Sequence, residues 1–165
     1  MKKTIAFIWL LGVMVMAASA SANTSAFPHR SKFKDVPVME MSDLESKFDK
    51  VAIVDVRSAY EFETLHIKGA INIPLSSKDF GARVKALREK SGKQLVMYCN
   101  RGTCKKSYKA VKKAKAAGVM NIVAFDAGIY AWASTHPQHS VLLGQHPMRA
   151  GAFIDNQRFK SHMLA

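Results

Sequence analysis

Cys99 and Cys104 are the only cysteines of the chain, and they close the two ends of one short stretch, Cys99-Asn100-Arg101-Gly102-Thr103-Cys104, followed at once by Lys105 and Lys106. The run before it, Gln94-Leu95-Val96-Met97-Tyr98, has the composition of a buried strand, so Cys99 is delivered at a strand's carboxyl end. A loop that feeds a helix amino terminus turns several backbone N–H groups toward one point, where the helix dipole favours an anion. A Cys99 thiolate held there is expected to have a depressed pKa, with Arg101, Lys105 and Lys106 adding positive charge. Gly102 lets the loop curl tightly. Free cysteines are often buried and inert, but a strand-end cysteine beside a glycine and three cations has the surroundings of a nucleophile. The second thiol adds redox chemistry: it can close a disulfide that masks Cys99, or resolve a sulfenic acid formed on it.

The elements that must position this loop follow from the rest of the pattern. Residues 105–117 carry Ala110, Val111, Ala114 and Ala117 at helical spacing, with lysines on the other faces and Gly118 as the stop. Upstream, Val36-Pro37-Val38-Met39 reads as a short strand that Pro37 assigns to a sheet edge. Ser42-Asp43-Leu44-Glu45 reads as a capping box opening a short helix. Val51-Ala52-Ile53-Val54-Asp55-Val56 is a strand buried on both faces, Glu61-Phe62-Glu63 a helical turn, and Ala70-Ile71-Asn72-Ile73 a third strand closed by Pro74. Residues 82–90 form an amphipathic helix ended by Ser91-Gly92, residues 121–125 a fifth strand, and residues 128–134 a last short helix containing Trp132. Strands alternating with helices imply right-handed crossovers and a parallel sheet, with the ligand beyond the carboxyl ends of the strands.

The chain has 165 residues, 48% hydrophobic and 22% charged, which fits a single globular domain and excludes disordered or collagen-like classes. Residues 1–22 combine Lys2 and Lys3, an apolar run and the small residues Ala18-Ser19-Ala20-Ser21-Ala22, the pattern of a cleaved signal peptide. The expected address is therefore periplasmic or secreted, with no stable membrane insertion after cleavage. Residues 23–35 read as a flexible lead, 36–134 as the domain and 135–165 as a tail without clear period. His136, His139 and His146 in that tail lack carboxylate and cysteine partners and are not read as a metal site. The formal charge is +13, and between Ala82 and Lys115 twelve Lys and Arg residues face a single acid, Glu89. Such a field favours small anions or an acidic protein partner; nucleic acid is a poor partner for an exported protein.

Asp55-Val56-Arg57 with Glu61-Phe62, then His66-Ile67-Lys68-Gly69-Ala70-Ile71-Asn72-Ile73-Pro74, then Tyr98-Cys99 with its loop, then Ala127-Gly128-Ile129-Tyr130-Ala131-Trp132, closely resemble the rhodanese-like single-domain sulfurtransferases, in order and spacing. The resemblance implies an α/β fold with a five-stranded parallel sheet flanked by helices on both faces. It makes Cys99 the catalytic nucleophile, which takes sulfane sulfur from thiosulfate or a polysulfide as a persulfide and passes it to a thiol or other thiophile. The stretch Asn100, Arg101, Gly102, Thr103, Cys104 and Lys105 becomes the substrate-binding loop, its amides cradling the sulfur and Arg101 binding the anionic donor. Neither metal nor organic cofactor is required. Asp55 and Arg57 are expected to form a structural ion pair, His66 to be a packed, hydrogen-bonded residue, and Trp132 to be core. Asn100 stands where many members have Arg, Ala127 where a glycine is frequent, and Cys104 at the sixth loop position. The related phosphatases use a loop one residue longer ending in Arg, where this chain has Lys105, which disfavours that activity. The alternatives are a thiol-disulfide redox protein using Cys99 and Cys104, and a sulfur carrier docking through Lys109, Lys112 and Lys113.

Overall fold

The computed structural model describes residues 26–147, so the predicted signal segment and the end of the tail lie outside the described residues. Its centre is a parallel sheet of β1 (Val51–Asp55), β3 (Ile71–Asn72), β4 (Gln94–Tyr98) and β5 (Ile122–Phe125), in the order β3-β1-β4-β5. The near-continuous apolar runs of β1, β4 and β5 require cover on both faces. On one face Ile53, Val96, Tyr98 and Phe125 pack with Leu44 of α1 (Met41–Ser46) and with Ile129 and Trp132 of α5 (Gly128–Thr135). On the other, Val54, Leu95, Met97 and Cys99 pack with Phe80 and Val84 of α3 (Phe80–Ser91) and with Tyr108, Val111 and Ala114 of α4 (Lys106–Ala116). Strand alternation thus sends the Cys99 side chain toward α4.

The expected edge strand Val36-Pro37-Val38-Met39 is reduced to one parallel bridge, Val38 to Ala124. The Met39 N–H donates to the Ala124 carbonyl at 2.8 Å, and the Ala124 N–H to the Pro37 carbonyl at 2.9 Å. The next donor along that edge belongs to position 37, and proline has none. Helix α1 starts one residue before the expected cap: Glu40 holds the N-cap position without a side-chain bond. The capping box forms instead at α2 (Ala59–Thr64), between Ser58 and Glu61.

Two segments depart from the reading of flexible lead and periodless tail. Within residues 26–35, Phe33 stacks on Tyr108 with ring centroids 4.9 Å apart. Arg30 bonds to Glu40 at 2.7 Å and to Asp126 at 2.8 Å. Beyond residue 134 the chain makes a 3-10 turn, Pro137–His139, and then β6 (Ser140–Leu142), antiparallel to β2 (Leu65–Ile67). Strands of three residues are too short to display a period, and the lead is held by contacts with residues nearly a hundred positions away. His136 stacks on Trp132 at 4.1 Å, and His139 lies 4.4 Å from the Phe48 ring.

Candidate active site

Cys99 leaves β4 directly into the core, and its side chain is fully buried. The Cys99 thiol lies 3.7 Å from the Cys104 carbonyl and 3.7 Å from the Ser107 hydroxyl, both oriented to accept its proton. The loop is fixed from behind by α5. The Ile129 N–H donates to the Cys99 carbonyl at 2.9 Å and the Tyr130 N–H to the Asn100 carbonyl at 3.1 Å. Gly128, at φ +72°, lets the two backbones meet: a Cβ there would sit 2.5 Å from the Asn100 carbonyl. The Cys104 N–H returns to the Arg101 carbonyl at 2.8 Å, which closes the turn.

Burial weighs against the Cys99 thiolate that the sequence leads one to expect. Burial pushes the Cys99 thiol well above its ordinary pKa, and the adjoining Cys104 adds to the effect. Cys104 is lowered to about 6 by the hydrogen bond from Cys99, by the backbone N–H groups of Lys106 and Asn100 and by the Lys106 charge, against partial burial. The first helix amide, of Lys106, serves Cys104, and the second, of Ser107, serves Cys99, whose side chain lies in the apolar cluster. Both cysteines are free thiols, and Cys104 packs against the cluster that buries Cys99. Alkylation of the reduced protein by iodoacetamide is therefore expected to label Cys104 first. Only the thiolate reacts, so the rate should rise through about pH 6 and then level off. A rate that keeps climbing through the ordinary cysteine range, or a label found on Cys99, would contradict this assignment.

The other loop residues separate by role. The Asn100 side chain is engaged below the loop, accepting from Arg57 at 3.2 Å and donating to Glu61 at 3.1 Å. Burial opposes ionisation of Glu61, but bonds from Ser58 and Asn100, with the Lys106 charge, hold its carboxyl below the ordinary range. Arg101 is half-buried at the loop's lip, and Lys105 is exposed at the start of α4. Gly102 lies beneath the Ala26 carbonyl, which a Cβ would approach to 2.2 Å, and the Thr103 carbonyl accepts from the His29 ring at 2.9 Å. Asp55 and Arg57 form a buried pair at 2.6 Å, and Arg57 also donates to the Leu65 carbonyl at 2.5 Å. His66 stacks on Phe62 and bonds its carbonyl at 2.7 Å.

Sequence reasoning missed Ser107, Asp126, Tyr108 and Arg30. Ser107 sits in the first turn of α4, and a small hydroxyl at that point after a cysteine loop was the available signal. Tyr108 donates to Asp126, which also receives Arg30; nothing local in sequence couples them. Of the lysines read as a docking face, Lys112 pairs with Asp35 at 3.3 Å, while Lys113 bonds the Leu75 carbonyl at 3.2 Å and lies over the Phe80 ring. A cavity of about 300 Å3 lies at the amino end of β1, lined by Phe48, Lys68, Lys93 and His139 among others, with no loop residue in its wall.

The family model for the rhodanese-like domain matches residues 40–135. The chain belongs to that family. This rhodanese-like protein is 32% identical over 103 residues to the probable adenylyltransferase/sulfurtransferase MoeZ of Mycobacterium tuberculosis, covering 62% of this chain but 25% of that one. It is 29% identical over 105 residues to the thiosulfate:glutathione sulfurtransferase of Saccharomyces cerevisiae, covering 58% of this chain and 74% of the relative. Among solved structures, a Bacillus halodurans protein superposes with a TM-score of 0.57 at 22% identity, over 82% of this chain and 96% of that one. A rhodanese-like domain from Anabaena gives 0.56 at 23% identity, over 70% and 86%. These two share the fold, and the expected parallel sheet flanked by helices is the one observed.

Proposed function

We propose that this rhodanese-like protein is an exported sulfurtransferase in which Cys99 attacks the sulfane sulfur of a small anionic donor, thiosulfate or a polysulfide, and carries it as a persulfide to a thiophile. The observation that carries this reading is the Cys99 sulfur at the end of β4, 3.7 Å from both the Cys104 carbonyl and the Ser107 hydroxyl of α4, inside a loop held by α5. Cys104, as thiolate, takes the Cys99 proton as Cys99 attacks the outer sulfur of thiosulfate and sulfite departs. The attacking sulfur is then charged only as its own bond forms, which offsets the effect of burial. The basic loop and α4 draw in an anionic donor, and the amino-terminal pattern of residues 1–22 supports a periplasmic or secreted site of action.

Reduced protein incubated with thiosulfate should gain one sulfur atom by intact mass, and Cys99→Ser should gain none. Absence of the gain in the wild type, or its persistence in Cys99→Ser, would overturn the reading. Amino-terminal sequencing of the mature protein from fractionated cells should start shortly after Ala20 or Ala22; an intact Met1 would remove the export claim.

A further inference from the structure

We propose that Cys104 resolves the Cys99 persulfide within the same loop, releasing the transferred sulfur as hydrosulfide and leaving a Cys99–Cys104 disulfide, so that the protein reduces sulfane sulfur as well as passing it on. The proposal rests on the persulfide reading of Cys99 above. Cys104 packs against the apolar cluster that holds Cys99, and its backbone folds back so that its carbonyl lies 3.7 Å from the Cys99 sulfur. The α5 amides and the Arg101–Cys104 turn hold both ends of the stretch in place. Cys99 is fully buried and Cys104 half-buried, so the inner sulfur of the persulfide is sheltered from outside thiols but adjoins Cys104.

In the step itself, the Cys104 sulfur attacks the Cys99 sulfur. A bond between these two sulfurs forms, the bond from Cys99 to the outer sulfur breaks, and its electron pair leaves with that sulfur. The proton that Cys104 took from Cys99 passes to the departing sulfur, which leaves as hydrosulfide. The outer sulfur gains one electron, the Cys104 sulfur loses one and the Cys99 sulfur keeps its oxidation level, so no external oxidant enters. A dithiol reductant returns the disulfide to the starting pair for the next turnover.

Leaving-group chemistry favours this direction. Attack on the outer sulfur would expel the Cys99 thiolate, which burial makes a strong base and hence a slow leaving group. Attack on the inner sulfur expels hydrosulfide, the conjugate base of an acid that ionises near neutrality. Cys104, with its thiolate favoured at neutral pH, is suited to attack.

The test is a single turnover without added thiol. Reduced, oxygen-free full-length mature protein is given thiosulfate, the donor is removed by gel filtration, and intact mass and free hydrosulfide are followed in the wild type, Cys104→Ser and Cys104→Ala. The wild type should end two hydrogens lighter than its reduced form with one hydrosulfide released per chain. Both variants lack the base for uptake and are therefore held with excess thiosulfate until the one-sulfur mass gain is complete; once the donor is removed they should lose that sulfur at least about tenfold more slowly than the wild type. Wild type that keeps its sulfur as long as the variants, or loses it without losing two hydrogens, overturns the proposal while leaving the persulfide intact. If no chain takes up sulfur and no hydrosulfide appears, the persulfide reading fails and this step fails with it.

Discussion

Asp55→Ala is expected to lower the stability of the protein by about 3–5 kcal/mol, the range for removing one partner of a buried ion pair. Arg57 is 2% exposed and Asp55 not at all. Three of the bonds that Arg57 directs at Asp55 come from its side chain, at 2.9, 3.1 and 2.6 Å, and a fourth from its own backbone N–H at 2.9 Å. Burial works against the guanidinium charge, but the hydrogen bonds and charge of Asp55 outweigh it and hold Arg57 protonated even more firmly than usual. Arginine cannot shed its proton to escape. Without the carboxylate the charge is stranded, with the Leu65 carbonyl and the Asn100 amide as its remaining acceptors. Asp55→Asn keeps one acceptor in place and should lose less than Asp55→Ala. Urea midpoints at unchanged slope measure both; a loss below about 1 kcal/mol for Asp55→Ala would place the pair among those that contribute little. Because Arg57 also holds Asn100, sulfur uptake should fall in the same variant at temperatures where it is still folded.

Gly128→Ala should combine a stability loss with a collapse of activity. The left-handed φ of +72° alone costs a residue with a side chain about 1–3 kcal/mol. The added methyl then meets backbone on the far side, 2.5 Å from the Asn100 carbonyl carbon and oxygen and 2.6 Å from the Arg101 nitrogen. Backbone cannot swing aside as a flexible side chain does, so the loop that presents Cys99 must shift. A displacement of about 1 Å at a reacting centre lowers rates by roughly a hundredfold. Gly118→Ala separates the two effects: φ there is +81°, but nothing lies within 4 Å of the added methyl. It should lower Tm and leave sulfur uptake by the folded protein near that of the wild type. Equal activity losses in the two variants would mean that backbone strain, and not the approach of Gly128 to the loop, governs the site.

Much of this was legible in the sequence because it is local. The strand before Cys99, the lysine-rich helix after it and Gly118 as that helix's stop all fall within about two dozen residues of one another, where hydrophobic period and capping chemistry operate. The Asp55 and Arg57 pairing is likewise two positions apart and set by a strand end. What could not be read is long-range or very short. Arg30 finds Asp126 across 96 positions, and β2 and β6 have three residues each. The division of charge between the two thiols was misread for a subtler reason. Counting nearby cations treats the loop as a point, whereas the structure buries the Cys99 end in apolar side chains and leaves the Cys104 end half-buried.

The lead that crosses the loop also bears on the order of assembly. Ala26 lies over Gly102, His29 bonds Thr103, and Arg30 closes on Asp126 at the end of β5. A contact of such sequence separation has to overcome the entropy of closing a long loop of chain, and it forms after nearby contacts have organised. The dithiol loop can thus reach its framed position on β4 and α4 while its cover is still unfolded. The loop backbone at Gly102 and Thr103 is uncovered during that interval, so a protease that cuts there has its opening before the lead docks.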